Sequence, residues 1–211
     1  MSERGVAPAY SSQADYAALD ARARDVLDGW FGAPGSDEFG RDHKRWFKRN
    51  DAFDAMLRER FGALIDAALA HELDAWLATP LGSLALVIVL DQLTRNCRRR
   101  TARMYDGDAQ ALRIARCMVA DGSDVLLPTV YHRAFAYIPF EHDETIEGQR
   151  EGVRLYTLLT PLGLDPSYER SAVRHAAIVE RFGRFPHRNA LLGRASSDEE
   201  IAFLRQPGSS F

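Results

Sequence analysis

Cysteine is scarce in this 211-residue chain, and neither sign of charge is in clear excess. The two cysteines, Cys97 and Cys117, have a spacing that fits no metal or redox signature. They are predicted to be free thiols, as is typical of a reducing cytoplasm. Lysine and arginine number 27 against 30 aspartates and glutamates, a formal net charge of -3. That balance provides no overall basic field, so nucleic acid is not an expected partner.

No apolar run is long enough to cross a membrane. The most apolar stretch, residues 84–90, is far shorter than the roughly 20 residues that a spanning helix needs. It runs directly into Asp91, Gln92 and Arg95, so we interpret it as a buried core helix with a polar end. The first 13 residues lack a signal-peptide pattern and are predicted to form a flexible tail. We therefore expect a soluble cytoplasmic protein with no membrane partner.

The alternation of apolar and polar residues that marks a half-buried strand is not sustained anywhere in the chain. Apolar residues instead recur at three-to-four spacing. This spacing predicts an all-α fold of eight or nine helices, packed as antiparallel hairpins in a single domain over residues 1–211.

Local signals predict where the helices begin. One helix is expected over residues 14–30, and Thr79 with Pro80 is expected to open the core helix. The other expected helix starts are Asn50 or Asp51, Asp106 or Asp108, Pro128, Pro166, and Ser196 or Ser197.

The first of several polar clusters lies where the core helix is expected to end, at Asp91, Gln92, Arg95 and Asn96. On a helix, Asp91 and Arg95 lie one turn apart on one face, and Gln92 and Asn96 share the next. Such groups are costly to bury unless they are paired. They form either an internal network that fixes helix packing or a wall that faces a ligand.

A second cluster, Glu141, His142, Asp143 and Glu144, follows closely after Pro139. A histidine among carboxylates can act as an acid or base near neutral pH, or can ligate a metal. The alternative is a solvated helix start, where acidic side chains complement the helix dipole.

His175 and an arginine-rich loop complete the polar set. His175 shares a helix face with apolar residues, so it is either a satisfied core histidine or a ligand-binding group. Arginines present a rigid fork that suits carboxylate or phosphate, but they can also pair with acids such as Asp91 or Glu144. The polar residues of the loop are Arg184, His187, Arg188, Asn189 and Arg194.

Standard catalytic motifs are missing from the sequence. It has no Gly-rich phosphate loop, no His-Glu-x-x-His motif and no nucleophile elbow. A run of arginines between Arg95 and Arg103 could lower the pKa of Cys97, but such a run is more typical of a solvated face. Nothing else in the sequence supports a cysteine nucleophile.

Several motifs are spread over nearly the whole chain: VLDGWFG at residues 26–32, Trp46-Phe47, Leu90-Asp91-Gln92, Arg95-Asn96, Pro139 with His142 and Glu144, FGRFPHRN at residues 182–189, and Leu192-Gly193-Arg194. Together they resemble the bacterial family known as domain of unknown function 924, over about residues 22–211. The resemblance implies a helical fold similar to the tetratricopeptide-like superfamily and implies no established activity. The chain departs from the family pattern mainly after Arg95, where the extra arginines and Cys97 are not motif positions. Asp143 also stands where a serine is usual.

We therefore expect a small-molecule site for an anionic ligand, which could be catalytic, between the end of the core helix and the arginine-rich loop. His142 or His187 would act as acid or base, oriented by Glu144 or Asp91. The residues expected to bind the ligand are Asp91, Gln92, Arg95, Asn96, His175, Arg184, Arg188, Asn189 and Arg194.

Two other functions fit the same residues. One is a non-enzymatic helical scaffold that binds a peptide or protein partner in a groove. The other is a metal-dependent hydrolase, for which the ligand types are suitable and the spacing is not diagnostic. Its candidate ligands are His142, Glu144, His175 and His187. We assign no metal site, and the sequence identifies no cofactor.

Overall fold

The computed structural model describes residues 13–209, and the regular elements there are all helices, with no strand. The all-α prediction is therefore confirmed. The α-helices are α1 (Gln13–Ala18), α2 (Ala21–Phe31), α3 (Asp51–Leu69), α4 (Pro80–Val87), α5 (Thr94–Cys97), α6 (Asp108–Asp121), α7 (Val130–His142), α8 (Ile146–Leu159), α9 (Pro166–Phe182) and α10 (Asp198–Leu204). The tail predicted for residues 1–13 lies outside the described residues except for Gln13, which opens α1.

Side-chain caps begin several helices where the sequence predicts them. The Asn50 carboxamide accepts hydrogen bonds from the amides of Ala52 and Phe53 at the start of α3. The Thr79 hydroxyl accepts from the Gly82 amide, and Pro80 occupies the first turn of α4. Before α10, the side chain of Ser197 and that of the glutamate three residues later cap each other's backbone amides reciprocally.

Two predicted helix boundaries are wrong. Residues 14–30 do not form one helix, because the chain breaks after α1 and Asp20 caps a new helix through the Arg22 amide. A strong capping side chain here outweighs the continuous apolar spacing. Pro128 does not begin α7, which starts at Val130 after a Thr129 cap.

The core helix, defined here as residues 80–97, is buried along nearly all of its length and packs against α3, α6 and α7. It is not regular. Between α4 and α5 the backbone widens into a π-helix, Ile88–Leu93. The Thr94 amide donates to the Val89 carbonyl five residues back, and the Thr94 hydroxyl donates to the same carbonyl at 2.9 Å. The π-helix carries Asp91 and Gln92, which are both buried.

Helix α7 runs through Pro139 and ends at His142, so the cluster from Glu141 to Glu144 lies at a helix C-terminus. The alternative interpretation of this cluster as a solvated helix start is therefore wrong. The carboxamide nitrogen of Gln149, on α8, donates to the carbonyls of Phe140 (3.2 Å) and Glu141 (2.8 Å). A buried amide from the next helix thus satisfies carbonyls that the end of α7 leaves open.

An aromatic cluster fills the core near α2 and α7. Trp30 stacks on Trp46 with 6.4 Å between ring centroids, and Phe135 meets both rings edge-on. Offset and edge-to-face contacts of this kind stabilise beyond the area that they bury.

Within residues 13–209, no helix combines the length and the apolar character that crossing a bilayer requires.

Candidate functional site

Asp91 and His142 form a buried pair, here called the dyad. The Asp91 side chain is 0% exposed, and its Oδ1 lies 2.7 Å from His142 Nδ1. The π-helix brings Asp91 to this position, and the last residue of α7 brings His142. Gln92 Nε2 donates to the other Asp91 oxygen at 2.6 Å, so the carboxylate is held on both sides. Asp91, and not Glu144, is therefore the acid that orients His142.

The dyad geometry selects one tautomer of His142. Nδ1 carries at most one proton, and it lies 2.7 Å from the Asp91 carboxylate and 3.2 Å from Arg95 Nε. The Arg95 Nε–H points at Nδ1 and would need its lone pair, whereas the Asp91 carboxylate needs a donor. The contact with the ionised carboxylate is the shorter and stronger of the two, so Nδ1 donates to Asp91. Nε2 then holds the lone pair, and it makes no hydrogen bond to any described residue. The imidazole is 18% exposed, so Nε2 is placed to accept a proton from a ligand.

Two arginines from distant segments flank the dyad; Arg95 and Arg188 are called the guanidinium pair below. Arg95 Nη2 lies 2.9 Å from both oxygens of Asp108 and 3.5 Å from Asp91. Arg188 Nη1 lies 3.3 Å from Asp108, and its Nη2 donates to the His142 carbonyl at 3.0 Å. Both guanidinium groups lie over the Tyr105 ring, at 5.4 and 4.8 Å. The arginine-rich loop therefore reaches the end of the core helix, as the sequence predicts.

Burial and the guanidinium pair control the charge states at this site. Burial opposes ionisation of Asp91, but His142 and Arg95 outweigh it and lower the pKa of the carboxyl group. Burial, reinforced by Arg95, lowers the pKa of His142, so the imidazole is neutral at neutral pH. Burial and then Arg188 lower the pKa of His187 to about 4. An ionised aspartate beside a neutral histidine is the arrangement of a general base.

A second acid–histidine pair lies behind the dyad. Glu141 Oε2 is 3.2 Å from His175 Nδ1, which also donates to the Ser171 carbonyl at 2.9 Å. Burial raises the pKa of Glu141 to about 7 and lowers that of His175 to about 3. Hydrogen bonds with Tyr156 and Ser171 favour the ionised Glu141 carboxylate, but burial outweighs them. His175 is therefore a satisfied core histidine, 6.4 Å from the His142 ring centre.

The rest of the arginine-rich loop is held by ion pairs of its own. Arg194 contacts both oxygens of Glu144, at 2.6 and 3.0 Å, and its Nε donates to Asn189. The Phe185 amide also donates to Glu144 at 2.8 Å. Glu144, Asn189 and Arg194 therefore attach the loop to the end of α7, and they do not form an open ligand wall.

Two predicted site residues lie away from the dyad. Arg184 pairs with Glu200 and donates to the Ala195 carbonyl, which fastens the chain before α10. Asn96 donates to Asp54 on α3 at 2.9 Å and lies on a different side of the core helix from Arg95. Both are structural ties in this arrangement, because each is matched by a buried acid.

Asp108 and Tyr105 belong to the site and were not predicted as members. Asp108 is a predicted helix start, but its contact with both arginines cannot be read from one sequence. The one available signal is the acid's position in the first turn of α6, 13 residues after Arg95. Tyr105 gives no signal of its own.

The structure gives no support to a cysteine or metal mechanism. Burial raises the pKa of Cys97 to about 11, so the thiol is protonated at neutral pH despite the neighbouring arginines. Among the described residues, no group of three or more His, Cys, Asp or Glu side chains is arranged to hold a metal ion. Three of the four candidate ligands of the hydrolase hypothesis are instead in separate ion pairs, His142 with Asp91, His175 with Glu141 and Glu144 with Arg194.

A protein of unknown function from Agrobacterium tumefaciens has a similar solved structure. It shares 40% sequence identity with this chain and superposes with a TM-score of 0.74, covering 86% of this chain and 96% of its own. No curated protein matches the chain. Residues 26–208 match the family model described as a bacterial protein of unknown function, DUF924, and this chain belongs to that family.

Proposed function

We propose that the protein binds a small anionic molecule at the guanidinium pair and that the dyad exchanges a proton with it. The observation that carries the proposal is the unbonded Nε2 of His142, on an imidazole that Asp91 holds at 2.7 Å beside Arg95. An oriented neutral imidazole next to fixed cations is suited to accepting a proton from a bound anionic ligand or from a water molecule beside that ligand. The arginines supply the binding energy, and His142 supplies the proton acceptor.

Convergence of three distant segments supports this proposal. Arg95 lies on the core helix, His142 ends α7, and Arg188 lies in the arginine-rich loop, yet each contacts another of the three. Guanidinium groups recognise planar carboxylates and phosphates through paired N–H donors. Buried ion pairs contribute little net stability, so helix packing alone does not explain why this site holds two arginines, two acids and a histidine.

The test is a thermal-shift screen of the wild-type protein against small carboxylates and phosphate monoesters at constant ionic strength. We expect a stabilising ligand whose effect is lost in Arg188→Lys, because lysine cannot reproduce the guanidinium fork. Arg181→Lys is the matched control, since Arg181 pairs with the exposed Glu199 away from the dyad. A hit that both variants retain equally contradicts the proposal.

Proton transfer is tested separately with His142→Asn in the presence of the ligand so identified. We expect Asn to keep ligand binding within about tenfold and to abolish conversion of the ligand, since the proton acceptor is gone. Ligand conversion that persists unchanged in His142→Asn rules out the role of the dyad.

A peptide-binding scaffold is the second candidate, favoured by one surface of α6. A shallow groove of about 570 Å³ runs along its outer face, lined by Ala109, Leu112, Arg113, Arg116, Cys117 and Ala120. An acidic amphipathic helix would fit its apolar floor and its arginines. Loss of a reproducible partner on Leu112→Asp, with retention on the exposed Leu158→Asp, would support this candidate.

A further inference from the structure

The guanidinium pair is neutralised in an unusual way, because two buried arginines share one acid. Asp108 accepts from Arg95 at 2.9 Å and from Arg188 at 3.3 Å. The loop ion pairs differ, since Glu144 receives one guanidinium, that of Arg194. Asp91 adds a second negative charge, but its closest approach to Arg95 is 3.5 Å. Asp108 is therefore the anion that both cations of the pair contact.

Arg188 is incompletely satisfied by this arrangement. Its side chain is 7% exposed, and its Nε is buried without a hydrogen-bond partner among the described residues. Burial and then Arg95 lower the pKa of the Arg188 guanidinium, so its surroundings destabilise the charged form. An anion with more acceptor oxygens than the Asp108 carboxylate would stabilise this cation further.

Asp108 can leave the pair without a change in the fold. It is the first residue of α6, and its side chain is 20% exposed. The backbone before it is fixed, because a Cβ at Gly107 would lie 2.2 Å from the Leu90 carbonyl oxygen of the core helix. A rotation of the Asp108 side chain toward solvent is thus the movement that the structure permits, while the helix stays in place.

From this geometry we propose that Asp108 is an internal anion that a ligand displaces. The acidic group of the ligand, a phosphate monoester with more acceptor oxygens than a carboxylate, takes the position of the Asp108 carboxylate between Arg95 and Arg188. This inference rests on the anion site of the proposed function and adds where the acidic group binds and what it must replace. It predicts that the ligand-free site is self-neutralised and that removal of Asp108 creates a vacant anion site.

The experiment compares the binding of inorganic phosphate to the wild-type protein and to Asp108→Asn by isothermal titration calorimetry at constant ionic strength. We expect Asp108→Asn to bind phosphate about tenfold more tightly, because phosphate no longer competes with an attached carboxylate. Asp106→Asn is the matched control. Asp106 lies two residues earlier and pairs with Arg98 and Arg103, outside the guanidinium pair.

A second measurement uses the wild-type protein and does not depend on the folding of the variant. The side-chain carboxyl carbon of ¹³C-labelled Asp108 is followed by NMR as phosphate is added, and displacement predicts that its resonance shifts. Equal phosphate affinity in wild type and Asp108→Asn, or an Asp108 resonance unmoved at saturating phosphate, overturns the inference.

The two proposals fail in different ways. If an organic acid stabilises wild type through Arg188 while Asp108→Asn gains no phosphate affinity, displacement is wrong and the proposed function stands. If Asp108→Asn gains phosphate affinity while no organic acid binds wild type, the displaceable anion stands and the proposed function is wrong.

Discussion

At the residue scale, the dyad depends on a carboxylate that is buried with compensating charges. Asp91 has no exposed surface and faces His142, Arg95 and Gln92. Removal of one member of a buried ion pair destabilises the fold by much more than the intact pair stabilises it. Replacement of Asp91 therefore affects both stability and the imidazole.

For Asp91→Asn we predict a loss of about 3–5 kcal/mol in the free energy of unfolding, because Arg95 loses a buried counter-charge. We also predict a lower His142 pKa, since the Asp91 charge favours the imidazolium. Chemical denaturation measures the first effect and ¹⁵N NMR of the imidazole the second. Asp106→Asn, which removes a more exposed acid, is the comparison; a similar loss in both variants would refute the prediction.

Glu141 should make stability depend on pH. Its pKa in the folded protein, about 7, is above the ordinary value of 4.5, so the folded state binds the extra proton between these values. The free energy of unfolding therefore decreases as pH rises through this window, by up to about 3 kcal/mol from this group. Glu141→Gln resembles the protonated acid and should remove that decrease.

The measurement for Glu141→Gln is urea denaturation at pH 5 and pH 7.5, compared with wild type so that contributions common to both cancel. We expect the variant to gain stability relative to wild type at the higher pH. A difference between the two proteins that is the same at both pH values would show that Glu141 is ionised throughout.

At the scale of the element, the core helix contains a π-helix that sequence periodicity does not reveal. The buried run predicts a helix, and Thr79 with Pro80 predicts its start, because burial and capping are local properties. The π-helix, in which both the amide and the hydroxyl of Thr94 donate to the Val89 carbonyl five residues back, leaves no mark on the apolar spacing.

Thr94→Val tests the hydrogen bond from the Thr94 hydroxyl to the Val89 carbonyl. Valine keeps the shape and loses the hydroxyl, while the Val89 carbonyl keeps the Thr94 amide as a donor, so we predict a loss of about 0.5–1.5 kcal/mol in unfolding free energy. Equilibrium denaturation measures it. Thr94→Ser keeps the hydroxyl and should lose less; a valine variant as stable as the wild type would contradict the role of the hydroxyl.

The candidate site shows the limit of reasoning from a single sequence. Its cations and histidines stand out because Arg, His and Pro together are unusual in a loop. Their partners do not, because an acid such as Asp108 looks like an ordinary helix start until the fold brings it to Arg95 and Arg188. Pro139 favoured a helix start just after it, but α7 contains this proline and ends at His142.

At the scale of the whole molecule, the buried His132 and His175 and the half-buried His187 make the free energy of unfolding fall at acid pH. Burial lowers the pKa of His132 and His175 to about 3, and burial with Arg188 lowers that of His187 to about 4. Each is below the ordinary value of 6.5, so the unfolded chain binds more protons between these values. Their stabilising contribution is complete above pH 6.5 and is lost as pH falls toward 4.

We therefore predict that the melting temperature rises between pH 4 and pH 6.5, because unfolding takes up protons on these three imidazoles. Glu141 opposes part of this rise above pH 4.5, so the slope should be steeper in Glu141→Gln. Differential scanning calorimetry across this range measures both slopes. A melting temperature that is independent of pH below 6.5 would contradict neutral burial of the histidines.

The aromatic cluster determines what intrinsic fluorescence can report. The chain has three tryptophans, and Trp30 and Trp46 lie together in the core beside Phe135. The third, Trp76, lies under the guanidinium of Arg22. None of them is among the residues that contact the dyad or the guanidinium pair in the described part of the chain. Tryptophan emission will therefore follow global unfolding faithfully and remain insensitive to ligand binding, so a tryptophan introduced at Tyr105 is the natural optical probe of the site.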